Sequence, residues 1–272
     1  MKSHAIKLCL AVAVASICYS QQSSAIIIND NYEGASSVKS NGTSYGDVIG
    51  SVDNFQINYM DVSISGNILS VSVDTTFGGK GDDGLFSSST YSGNGIGYGD
   101  LFLSSAWTPF GSDTGIYAGD DNSNGTVWSY GFSLDNRWGV EDVEHQGTLY
   151  SLNSHNDPLI TNPNNVDTYL SDDFLSISDF YYRNGQEIAV DTDNGDVTAV
   201  GGGTWNTTVN RVNFEIDLTG TALAGSQTIA LHWGMTCAND TIEGVYSVPE
   251  PAILSLLALG LIGIGITKRK NA

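Results

Sequence analysis

Phe55-Gln-Ile57-Asn-Tyr59-Met-Asp-Val62-Ser-Ile64-Ser65-Gly66-Asn67-Ile-Leu69-Ser-Val71-Ser-Val73 is the stretch from which the fold is read. Apolar residues recur at every second position in Phe55, Ile57 and Tyr59, then in Val62 and Ile64, and again in Leu69, Val71 and Val73. A period of two puts those side chains on one face of an extended strand. Gly66-Asn67 between the two runs is the composition of a two-residue β-turn, so the segment predicts a β-hairpin. Working outward, further short strand-like runs occur at 100–106, 126–134, 147–152, 187–190, 196–200, 209–218 and 228–233. The intervening turns are built of Gly, Asn, Asp and Ser, and Asp193-Asn194-Gly195 predicts a second tight hairpin. Only 165–177 has a helical period, enough for a turn or two. Many short strands with such turns predict an all-β domain, an antiparallel β-sandwich of jelly-roll type.

Composition sets the outer limits. The chain of 272 residues carries 10 Lys plus Arg against 30 Asp plus Glu, a net charge of −20. Between residues 26 and 248 there are 29 acidic residues against Lys39, Lys80, Arg137, Arg183 and Arg211, a local charge of −24. Such a surface repels phosphate backbones, which excludes a nucleic-acid partner of the ordinary basic kind. The 27 aromatic residues and 40% apolar content are too rich for an acidic disordered chain, so a buried core is expected.

Both termini differ from this middle. Met1-Lys-Ser-His-Ala-Ile-Lys7 precedes an apolar run from Leu8 to Ile17, and Ser23-Ser24-Ala25 puts small residues at the −3 and −1 positions of a cleavage site. This predicts a signal peptide over 1–25 and signal peptidase as a processing partner. Ile17 stands before Cys18 where a lipoprotein signal needs a small residue. Cleavage removes Cys9 and Cys18 and leaves Cys237 alone, so disulfides do not hold the fold, and Cys237 is either a small buried hydrophobe or a reactive thiol. At the other end, Val248-Pro249-Glu250-Pro251-Ala252 leads into an apolar run to Ile266, followed by Thr267-Lys268-Arg269-Lys270. The run from Ala252 to Ile266 leaves no polar helix face apart from Ser255, which predicts a single C-terminal transmembrane helix. At 1.5 Å per residue it spans about 22 Å, short of the roughly 30 Å hydrocarbon core, as suits a transient anchor. The basic cluster stays cytoplasmic and leaves the ectodomain, 26–247, outside.

The tripeptide, short apolar helix and basic end of 248–272 resemble the PEP-CTERM sorting signal of Gram-negative bacteria. The resemblance implies recognition of the tail by exosortase, a membrane protease-like enzyme, with cleavage near Pro249-Glu250-Pro251, in species that make exopolysaccharide. It also implies a chain held briefly in the inner membrane and then placed at the cell surface or in the extracellular matrix. Within the ectodomain, Gly99-Asp100-Leu101-Phe102-Leu103 with Trp107-Thr-Pro109, and the segment from His232 to Gly244, resemble stretches of uncharacterised ectodomains that precede this tail. That likeness brings no chemistry with it.

Several local patterns are candidates for sites. Asp120, Asn122 and Asn124 place oxygen ligands at alternate positions before Gly125, as in a calcium loop, although Gly131 stands where a bidentate Glu is needed. They form either a weak calcium site or an Asx turn, and 191–196 offers the same choice. No other cofactor is expected. Gly78 to Phe86 matches a single calcium β-roll nonapeptide, which does not suffice without a neighbouring repeat. His145, His155 and His232 have no metal-ligand spacing. Glu141, Glu144, Glu187, Glu215 and Glu243 could supply the two carboxylates of a glycoside hydrolase, a pairing that sequence distance does not reveal. Trp107, Trp128 and Trp138, with Tyr91 and Tyr117, lie among Asn, Asp and Ser and are candidates either for glycan contact or for core. The expectation is therefore an exported, non-enzymatic surface protein with weak glycan binding, and a secreted glycan-active enzyme is the alternative.

Overall fold

The computed structural model describes residues 25–34, 46–81, 96–111, 116–121, 124–153, 159–161 and 185–247. The signal segment before Ala25, the tail from Val248 onward, the 165–177 stretch, Tyr91, Asn122 and His155 lie outside the described residues, as do 82–86 of the nonapeptide. Ala25 to Ser247 form one compact unit.

In chain order the strands are β1 (Ile26–Asn29), β2 (Ile57–Ser65), β3 (Ile68–Thr75), β4 (Leu101–Ser104), β5 (Tyr130–Leu134) and β6 (His145–Leu152). They continue as β7 (Leu159–Thr161), β8 (Glu187–Val190), β9 (Val197–Thr208), β10 (Arg211–Asp217), β11 (Thr228–Gly234) and β12 (Thr241–Ser247). A single-turn helix, α1 (Val52–Phe55), precedes β2. Ten strands form one antiparallel sheet in the order β1-β2-β3-β10-β9-β6-β5-β4-β11-β12, and β7 pairs with β8 in a separate ribbon. The all-β, antiparallel class read from the sequence is present. The pairing is one continuous curled sheet, so the two facing sheets of a jelly roll are not found in it.

The expected hairpin is β2–β3, with Ser65 opposite Ile68 across Gly66-Asn67. A bulge between Ile57 and Tyr59 switches the parity of β2. Ile57, Met60 and Val62 therefore point into the core, while Tyr59 turns outward and its hydroxyl accepts from Arg211 Nη2 at 2.8 Å. On β3, Leu69, Val71 and Val73 are buried and face Ile216, Phe214 and Val212 of β10. Each such side chain contributes about 1.5–3 kcal/mol of hydrophobic stabilisation.

Curling of the sheet is visible in the aromatic contacts. Phe132 of β5 and Phe214 of β10 are three strand positions apart, about 14 Å along a flat sheet, yet their rings meet edge-on at 6.2 Å. The edge strands β1 and β12 come together in the same way: a Cβ on Gly244 would lie 2.5 Å from Ile28 Cγ2, so only glycine admits that approach. Closure at this seam is made by side-chain packing, since no ladder joins β1 to β12 among the described residues.

A second layer covers the outer face of part of the sheet. β4 is buried at all four positions and β11 from Ile229 onward, without alternation. Phe102, Trp128, Leu152, Val190 and Ala230 form a cluster on that outer face, and Val190 of β8 sits where a side chain on Gly131 would be. The turn at Asp193-Asn194-Gly195 exists, with Asn194 N donating to Asp191 O at 3.1 Å, but it does not close a hairpin. β8 pairs with β7 and β9 pairs with β6, so this turn carries the chain from the outer layer back to the sheet.

Candidate functional site

The register of the β11–β12 hairpin sets His232 opposite Glu243. On β11, His232 shares a face with Ala230, the outer one, and its ring lies 5.7 Å from Trp128 and 6.0 Å from Phe102. Its Nδ1 is 3.3 Å from Glu243 Oε2, and its Nε2 is 3.0 Å from the carbonyl oxygen of Glu187 at the start of β8. With a carbonyl that accepts only, the Nε2 of His232 is the donor in that contact. Glu243 Oε1 accepts from Trp107 Nε1 at 2.6 Å and from Thr126 Oγ1 at 3.0 Å. Two loops of the covering layer are thus tied to one carboxylate of the edge strand.

Around this pair are further ionisable groups. Tyr32, 2% exposed, donates to Gln186 Oε1 at 3.4 Å and also interacts with the Asp120 carboxyl. Gln186 Nε2 donates to the carbonyl oxygen of Asp120 at 2.8 Å. Burial, reinforced by the charge of Glu243, pushes the Asp120 carboxyl up to about 8. Burial likewise pushes Glu187 up to about 7, against the opposing pull of His232. For His232, burial disfavours the imidazolium, but the Glu243 hydrogen bond and the Glu187 charge outweigh it and hold its pKa above the ordinary value. Tyr32 is raised well above the usual phenol range, first by burial and then by Glu243, Asp120 and Glu187. Among the described residues no Lys or Arg pairs with these three carboxyls.

Next to the cluster, a recess of about 320 Å³ opens along the seam between β1 and β12. Tyr32, Trp107 and Tyr117 wall it, Glu243 and Gly244 contribute from β12, and Asn29 and Asn31 stand at its rim. The Trp107 and Tyr117 rings meet edge-on at 5.5 Å, and Tyr117 lies 6.1 Å from Tyr32. Tyr117 is held at φ +52°, a left-handed conformation that a bulky residue rarely adopts.

The sequence-derived candidates separate accordingly. Trp107 and Tyr117 meet at the seam recess. Trp128 belongs to the outer-face apolar cluster and lines neither the seam recess nor the one around Trp138. Trp138 lies in a different recess of about 310 Å³ with Asp135, Thr148, Tyr150 and Thr192. Asp120 is 2% exposed, with its carboxyl over Gly125 and in interaction with Tyr32, while Asn124 Nδ2 donates to Asp121 Oδ1 at 3.2 Å in a local turn. Of the five glutamates, Glu187 and Glu243 converge on His232, whereas Glu144 and Glu215 are exposed. His145 packs on Trp205 at 4.9 Å, apart from His232. Cys237 is fully buried, makes no disulfide, and has its thiol pushed up to about 12 by burial, which leaves no thiolate at neutral pH. One group that sequence reasoning missed is Asp30, Asp47 and Asp240, whose carboxylate oxygens lie within 4.8 Å of one another. These are hard donors of the kind calcium takes, though three oxygens fall short of its six to eight ligands.

Comparison with known proteins bears on the tail. A family model for the PEP-CTERM protein-sorting motif matches residues 247–270, beginning at the last residue of β12. No curated protein and no solved structure matches the chain. The chain therefore carries a PEP-CTERM protein-sorting signal, the mark of an exported protein targeted to exosortase.

Proposed function

We propose that the domain is a non-enzymatic component of the cell surface or extracellular matrix that binds a neutral glycan weakly through the Trp138 recess. After export the chain is held in the inner membrane by its C-terminal helix, cut near Pro249-Glu250-Pro251 and released outward. The observation that carries the ligand assignment is the grouping of Trp138 and Tyr150 with Thr148, Thr192 and Asp135 around one recess. Aromatic faces pack on sugar C–H surfaces while hydroxyls and a carboxylate meet the sugar hydroxyls. A surface as acidic as this one disfavours anionic polymers, which leaves neutral glycans.

Glu243 and Asp120 give the hydrolase alternative its one specific observation, two electrostatically coupled carboxyls beside an aromatic recess. Two features favour binding over hydrolysis. Glu243 already accepts hydrogen bonds from Trp107 and Thr126 and pairs with His232 Nδ1, and Asp120 does not line the recess. Cosedimentation of the full chain, in a polyoxyethylene detergent, with neutral polysaccharide from the host decides between these roles. Retention that is lost in Trp138→Ala, with no release of reducing ends, is the expected result. Equal retention of the variant would remove the assigned site, and release of reducing ends would establish the hydrolase.

A further inference from the structure

We infer that the seam recess between β1 and β12 is a binding site for an organic ammonium group, seated against the aromatic walls of Trp107, Tyr117 and Tyr32 with its charge directed toward Glu243. This site is separate from the Trp138 recess and does not depend on the glycan reading.

Three observations converge on a cation rather than a neutral or anionic ligand. The first is the wall itself. Tyr117 meets the Trp107 ring at 5.5 Å and the Tyr32 ring at 6.1 Å, and aromatic faces attract cations through their quadrupoles. Tyr117 is kept at φ +52° in this arrangement, strain of the sort that persists where the surrounding structure fixes a residue for a role. The second is acceptor capacity. A carboxylate offers about four lone-pair sites, and Glu243 uses two of them on Trp107 and Thr126 and a third on His232 Nδ1 when the imidazole is charged, so at least one remains for an N–H or a cationic methyl group.

The third is the charge behind the wall. Glu243 of β12, Glu187 of β8 and Asp120 of the 116–121 segment are buried there, with His232 of β11 the sole basic member among them. Asp120 Oδ2 is buried without a hydrogen-bond partner. Burial, with the charge of Glu243 beside it, keeps this carboxyl protonated at neutral pH. A bound ammonium ion supplies a cation that stabilises the carboxylate, so ligand binding and loss of a proton from the cluster are linked. The groups that face Asp120 electrostatically are Tyr32, Glu187, His232 and Glu243, and Asp121 adds its charge at Glu187. Deprotonation of Asp120, Glu187 or His232 each makes the cluster more negative. All three therefore tighten the hold on a permanent cation as pH rises.

The test uses the full chain in a polyoxyethylene detergent, which is free of both sugar and quaternary amine. Calorimetric titrations compare choline with its uncharged isostere 3,3-dimethylbutan-1-ol, and glucosamine with N-acetylglucosamine. At least one ammonium compound should bind about tenfold or more tightly than its uncharged counterpart, a difference within reach of a desolvated cation–π site. Which pair discriminates identifies the source as a methylated amine or an amino sugar. Affinity for choline, whose charge does not titrate, should rise at least about threefold from about pH 6.5 to about pH 9.

Glu243→Gln keeps the hydrogen-bonded shape and should lose about tenfold or more in affinity. Tyr117→Asn, a residue that tolerates the left-handed backbone, should lose about threefold or more, and it reports even if the first variant does not fold. Trp138→Ala should bind ammonium as the parent does. Uncharged compounds binding as well as charged ones would overturn the proposal, as would no saturation by any compound below about 50 mM.

Discussion

Asp120 holds its proton to about pH 8 in the folded chain, whereas an unfolded aspartate loses it near pH 3.9. Between those values the folded state binds more protons than the unfolded one, so stability falls as pH rises through the window. Glu187, pushed up to about 7, acts in the same direction. His232 does too: its contribution is present below about pH 6.5 and is lost as pH rises through its raised folded value. The expected outcome is a higher melting midpoint at about pH 5 than at about pH 8.5. Asp120→Asn imitates the protonated side chain. It should flatten the slope and stabilise the protein at about pH 8.5 by about 1–3 kcal/mol, read by thermal or denaturant unfolding at both pH values. Equal destabilisation at both would show that the carboxyl is not held protonated.

At the scale of elements, a buried carboxylate helps fasten β8 to the sheet, beside the bonds from Asp100 N to Ile188 O and from His232 Nε2 to Glu187 O. Asp100 Oδ2 accepts from Val190 N at 2.8 Å, while Oδ1 accepts from Leu134 N at 3.1 Å and from Arg137 Nη2 at 3.0 Å. Arg137 is 3% exposed, and its Nη1 also donates to the carbonyl oxygen of Tyr98 at 2.9 Å. Removing one charge of a buried pair leaves the other uncompensated, so Asp100→Asn should destabilise by about 3–5 kcal/mol. Hydrogen exchange should then show early loss of protection at Val190, whose amide donates to Asp100 Oδ2. A cost below about 1 kcal/mol would mean that the apolar cluster around Val190 and the remaining bonds hold the layer without the carboxylate.

What the sequence revealed follows from how local each cause is. β2–β3 was legible because its turn and its alternation lie within a few residues of one another. Asp193-Asn194-Gly195 was read as a hairpin because turn chemistry does not say which strand each flank will pair with. β12 went unread because Glu243 and Gly244 break its apolar run, and both are explained only by the neighbours they meet, His232 and Ile28. The same applies to the site. Trp107 and Tyr117 were legible as aromatic residues in polar loops, but the recess exists only once the two sheet edges close. Asp120 looked like a calcium-loop ligand from its neighbours in sequence, whereas its carboxyl, which lies over Gly125, also meets Tyr32, more than eighty positions away.

On the scale of the whole molecule, the signal segment expected at 1–25, a strongly acidic middle and a sorting tail make an ordered itinerary. The ectodomain has a charge of −24 between residues 26 and 248, and its last strand, β12, ends at Ser247, where the sorting motif begins. A protease acting near Pro249-Glu250-Pro251 would therefore cut just beyond the last hydrogen-bonded strand and leave the folded sheet whole. Replacing that tripeptide should leave export intact, if the expected N-terminal signal drives it, and should retain the chain in the inner membrane. The most direct measurement of this central claim is mass spectrometry of both termini of the surface-exposed protein isolated from its own host. The mature chain should begin near Ile26 and end between Pro249 and Pro251. Recovery of Lys268-Arg269-Lys270 on most surface molecules would contradict it.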